Sequence, residues 1–198
     1  MLGIPKYKPN FYIDAYLFCE DFRDILKQLI GKSIDCFWIM WDYKHEQWNQ
    51  DGPIILKIGN FNYEFAACNL NEFSLTTNLI NLESKLNWYG SGDELPLGWK
   101  ENHKKECINL LKRPIKEINI VTYDFTSELN NFHINPEQVS KLYNEGFVLH
   151  GIEFVLEKEN DSDFENYFSI YNALDQIGIK TTEIGSYKGL QKIQITSY

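Results

Sequence analysis

The chain has 198 residues, 43% of them hydrophobic and 24% charged, enough apolar material for one packed core and unlike a disordered segment, so a single domain over 1–198 is expected. A formal charge of -9 repels a phosphate backbone and argues against nucleic-acid binding. No run reaches the roughly 18 apolar residues of a spanning helix and the first residues lack a signal-peptide pattern, so a cytoplasmic protein without membrane contact is expected.

In chain order, Phe22, Ile25, Leu26, Leu29 and Ile30 place one apolar stripe on a helix over about 19–30, ended by Gly31. The apolar run 33–43 reads as a strand buried on both faces, followed by a polar loop. Ile54, Leu56 and Ile58 alternate before Gly59-Asn60, and Phe61, Tyr63, Phe65 and Ala67 alternate after it, a hairpin pattern that 73–82 continues as a third strand. Residues 83–100 read as an ordered aromatic loop, 101–112 as a helix stopped by Pro114, and 115–125 as a strand. Asn135-Pro136 resembles a helix start, with an end at Gly146. The remainder reads as strands at 147–157 and 167–173, a turn or short helix at 173–177 and a last strand at 189–196. The expected fold is α+β, a largely antiparallel mixed sheet with about three helices packed on one face.

The run from Gly59 to Phe65, leading to Phe73-Ser74-Leu75, is echoed by Gly151-Ile152-Glu153-Phe154, leading to Phe168-Ser169-Ile170. An internal pseudo-repeat and chance similarity between alternating strands both explain the echo.

The dinucleotide, P-loop, zinc-hydrolase and nucleophile-elbow motifs are all absent, and no catalytic residue, cofactor or metal is assigned. Cys19, Cys36, Cys68 and Cys107 lack CxxC pairing and read as reduced and buried. His45 could form an acid/base pair with Asp42 or Asp51, against the plainer reading of a solvated loop. The carboxylates from Glu157 to Glu165 lack the glycine and terminal glutamate of an EF-hand and read as a solvated hairpin tip.

The most informative constellation sets Trp41 and Trp48 among Asp42, Glu46 and Asp51, with a second group, Trp88, Tyr89 and Asp93, in the later loop. Aromatics give contact area at little rotamer cost and carboxylates give charge complementarity, so these eight residues are the candidate partner-binding set. The alternative is that the whole group is structural, with Trp48, in a polar loop, the member least easily explained by the core; Trp48→Ala and Asp51→Ala are expected to weaken partner binding while leaving thermal stability nearly unchanged.

The pattern W-x-x-W-D, D-G-P-I-I-L, F-S-L-T-x-N and L-N-W-Y across 38–89 resembles a group of small cytoplasmic proteins of low-GC bacteria with no established activity. In size, acidity and lack of enzyme motifs the chain is also similar to bacterial toxin-immunity proteins, a likeness of type that carries over no residue. It implies a non-enzymatic protein-binding module, an inhibitor of a basic toxin domain. A sugar- or small-molecule-binding protein with an aromatic pocket, an unrecognised hydrolase built on His45, and a homodimer contact through the aromatic loops are the competing readings.

Overall fold

The computed structural model describes residues 3–69, 71–124, 147–158, 166–185 and 189–196. The chain opens with α1 (Ala15–Lys27), which begins at Asp14 because that carboxylate accepts the backbone N–H groups of Tyr16 at 2.7 Å and Leu17 at 3.2 Å. There follow β1 (Cys36–Asp42), β2 (Gln47–Trp48), β3 (Ile54–Ile58), β4 (Phe61–Cys68), β5 (Glu72–Thr77), β6 (Leu97–Glu101) and a single turn of helix, α2 (Lys105–Ile108). The second half holds β7 (Ile115–Asp124), β8 (Phe147–Leu156), β9 (Tyr167–Asn172), β10 (Ile177–Lys180) and β11 (Leu190–Ile195).

These strands form two antiparallel sheets. In the first, β1, β3, β4 and β5 are successive neighbours, β2 pairs with the end of β1, and β6 lies on the far side of β1, where Trp38 pairs with both Ile55 and Glu101. The second runs β10-β9-β8-β7-β11. Their inner faces share one apolar core, crossed by ring contacts from Phe37 to Phe168 at 5.6 Å and from Phe65 to Phe154 at 6.0 Å. Phe18 of α1 joins this core and meets Phe73 of β5 at 6.3 Å. The segment before α1 stitches the sheets together: Tyr12 pairs with Phe73, and the Ile13 carbonyl accepts from Leu149 N–H at 2.7 Å.

The expected α+β layer with about three helices is therefore corrected to a mostly β sandwich with two helices among the described residues. Strand patterns read one at a time do not reveal that they belong to two sheets facing each other. In the expected helix 101–112 the apolar positions Cys107, Ile108, Leu110 and Leu111 cluster in its last half, and Leu97–Glu101 instead pairs with β1. The expected helix from Asn135 to Gly146 lies outside the described residues, as do 159–165. No helix among the described residues is long and apolar enough to cross a membrane.

The first sheet is buried on both faces. Its outer side carries a second cluster of Ile4, Tyr7, Met40, Ile55, Ile80, Leu86 and Trp88. Among the polar residues beneath that cover is Glu64, with no exposed surface, whose carboxylate accepts Thr76 Oγ1 at 2.6 Å and the N–H groups of Leu79 and Ile80 at 2.9 and 3.2 Å. On the outer face of the second sheet Glu153 is likewise fully buried, accepting Ile184 N–H at 2.5 Å and pairing with Lys192 at 2.8 Å. Each carboxylate pins a segment that crosses its sheet.

The two sheets repeat one topology, β6-β1-β3-β4-β5 and β11-β7-β8-β9-β10, in which a four-strand meander is followed by a return to pair with its first strand. The halves meet reciprocally: Gly31 N–H donates to the Ile115 carbonyl at 2.8 Å, Lys112 N–H donates to the Ile34 carbonyl at 2.9 Å, and Ser33 pairs with Pro114 between them. Gly31 and Lys112, both just past a helix end, have φ of +83° and +67°. The sequence echo is in a different register. It sets β4 against β8 and β5 against β9, whereas equivalent positions pair β3 with β8, β4 with β9 and β5 with β10.

Candidate functional site

Asp42 ends β1 and organises the turn into β2. Its Oδ1 accepts Lys44 N–H at 2.8 Å and His45 N–H at 3.2 Å, and its Oδ2 lies 2.6 Å from His45 Nδ1. Burial pushes the Asp42 carboxyl up, but the bonds from the His45 ring and the two backbone N–H groups outweigh it and hold the group below the usual carboxylate range. Of the two acids that could pair with His45, the partner is Asp42, whose carboxylate caps the turn, while the His45 side chain stays largely solvated as the plainer reading had it. Tyr43, His45 and Glu46 face solvent around it, Tyr43 at 45% exposure.

Trp41 and Trp48 face each other across β1 and β2, half-buried against the core at the end of the sandwich. Lysines cover both rings. Lys100 Nζ lies 3.8 Å from the Trp41 ring centroid and 5.5 Å from that of Tyr43, and Lys104 Nζ lies 4.5 Å from that of Trp48. Glu46 accepts Trp41 Nε1 at 3.4 Å and pairs with Lys100 at 3.5 Å, while the His103 ring meets Trp41 edge-on at 4.4 Å. Trp48 Nε1 is buried with no hydrogen-bond partner among the described residues. Sequence reasoning missed Lys100 because β6 read as loop and Lys104 because it read as part of the helix 101–112; pairing β6 with β1 is what brings Lys100 onto Trp41.

The loop after β2 is fixed at both ends. Asn49 N–H donates to the Met40 carbonyl at 2.9 Å, Asp51 N–H donates to Asn49 Oδ1 at 3.1 Å, and a Cβ on Gly52 would sit 2.6 Å from Met40 Cβ. The Gln50 carbonyl accepts Ile177 N–H at 2.9 Å, so the loop rests on the edge of β10 and leaves Asp51 exposed.

The second predicted group divides. Trp88 is 5% exposed within the outer apolar cluster, and the Tyr89 side chain lies outside the described residues. Asp93 is exposed and paired with Lys85 at 2.8 Å, which holds its carboxyl below the usual range. This loop touches the first turn where Lys44 Nζ donates to the Glu94 carbonyl at 3.3 Å and Tyr43 N–H to that of Pro96 at 3.0 Å.

Among the described residues no group of three or more His, Cys, Asp or Glu converges as a metal-ligand set. None of the four cysteines is in a disulfide; Cys19 and Cys107 are buried as expected, whereas Cys36 and Cys68 are only half-buried. No family model, curated protein or solved structure matches the chain.

Proposed function

We propose that the chain is a non-catalytic, cytoplasmic protein-binding module, an inhibitor of the immunity type that covers a basic domain of another protein. The observation that supports this reading is the exposure of Tyr43, Glu46 and Asp51 on backbone that Asp42, Asn49 and the lysine-capped tryptophans hold in place. Rigid presentation lowers the ordering cost of association, and carboxylates at the rim steer an oppositely charged partner. Stacking a sugar on Trp41 or Trp48 would first require displacing Lys100 or Lys104, which disfavours the small-molecule reading.

The test is affinity capture by the tagged chain from its own host cells at low and moderate salt. A stoichiometric basic protein, retained at low salt and released as salt rises, is the expected result, and Asp51→Ala slows its association several-fold without changing the melting temperature. If nothing protein-sized is retained in either buffer, the binding reading falls.

A further inference from the structure

Leu174 breaks two local rules at once. The β9–β10 hairpin turns on Leu174 and Asp175 alone, with Ala173 N–H donating to the Gln176 carbonyl at 2.7 Å, and both turn residues have positive φ, +60° and +78°. Such turns favour Asn and Gly, because a bulky L-residue crowds its own carbonyl in the left-handed region. The leucine side chain is nevertheless 75% exposed, more than any other large hydrophobic among the described residues, so little packing within the chain offsets the strain.

The tip is also held against relaxation. Asn172, only 2% exposed, accepts Asp175 N–H at 3.1 Å and donates to the carbonyls of Asn69 and Glu72 at 3.0 and 3.1 Å. Asp175 in turn accepts Asn69 N–H at 2.6 Å. Three residues past Leu174, Ile177 bonds Gln50, the neighbour of Asp51. Residues 49–52, Asn69, Glu72 and 172–177 therefore converge, and among them are Asp51, Glu72 and Asp175 with no lysine or arginine. Strain that the surrounding structure enforces is a pointer to function, and an exposed apolar knob on a tip whose neighbouring segments carry acidic charge alone has a definite complement.

We propose that Leu174 is the apolar anchor of the partner-binding surface, inserting into an apolar pocket rimmed by lysine or arginine on the partner protein. This rests on the binding reading above and adds to it the residue that fills the partner's pocket.

Two variants separate strain from contact. Leu174→Asn relieves the backbone and raises the melting temperature by about 2–4 °C, whereas Leu174→Ala keeps the strained turn and leaves it nearly unchanged. Both weaken binding of the purified protein captured by the wild-type chain at least about tenfold in titration. Capture alone supports nothing here. Equal affinity of wild type and both variants overturns the anchor while leaving the binding reading intact, and a melting temperature that falls in Leu174→Asn overturns the strain argument and the proposal with it. Failure of the wild-type chain to capture any protein overturns both readings. Loss of self-association in Leu174→Asn, seen by sedimentation, would put a second copy of this chain in place of the basic partner and overturn the proposal.

Discussion

Glu64 is a fully buried carboxyl whose surroundings displace its chemistry. Desolvation raises its carboxyl above the ordinary range, against the bonds from Thr76, Ile80 and Leu79. A carboxyl with a raised folded-state pKa favours folding when protonated, so its contribution is fully present below the unfolded pKa and is lost as pH rises through the folded one. Glu64→Gln keeps the shape and most of the bonds without the charge. The variant is expected to gain stability relative to wild type as pH rises from about 4 to 7, measured by denaturant titration at each pH, and an unchanged difference would refute the assignment. Trp48 belongs at this scale as a correction. Trp48→Ala was expected to leave stability nearly unchanged, but the ring packs on the core beneath Lys104, so the truncation is now expected to lower the melting temperature. A tryptophan in a polar stretch looks exposed in sequence because the cover comes from residues 50 and more positions away. Asp51, whose carboxylate faces solvent, was legible as a surface acid.

At the scale of elements, the strands of the 54–67 hairpin were legible because alternation and the Gly59-Asn60 turn agree, and the register pairs Ile58 with Phe61 as that turn requires. The start of α1 was misplaced because Asp14, its cap, precedes the apolar stripe by two turns. β10 was hidden because Leu174-Asp175 is not a sequence that announces a tight hairpin. β8 carries a less visible device: its register against β7 shifts at His150, an extra residue that bulges beside Gly151. A Cβ at Gly151 would lie 2.4 Å from the Ile170 carbonyl oxygen and 2.8 Å from Tyr171 Cα, both backbone of β9. Gly151→Ala therefore forces two paired strands apart and should cost about 2–3 kcal/mol in denaturant titration; a loss under about 0.5 kcal/mol, the scale of an ordinary surface change, would contradict the close approach.

For the whole molecule, the duplicated topology was nearly invisible in sequence because its offset drifts. By register Phe37 corresponds to Ile118, Leu56 to Phe154 and Tyr63 to Phe168, separations of 81, 98 and 105 residues. Core positions need only apolar bulk on the inner face, so the two halves keep a pattern without keeping residues. The echo noticed in sequence matched strands one place apart for the same reason. The molecule is thus two like sheets whose hairpin tips meet at one end, and the functional proposal assigns that end to the partner. Hydrogen exchange of the chain, alone and bound to the captured protein, tests this most directly. The account predicts slowed exchange confined to 43–52, 69–72 and 172–177, and slowing confined to α1 or to the outer face of either sheet would contradict it.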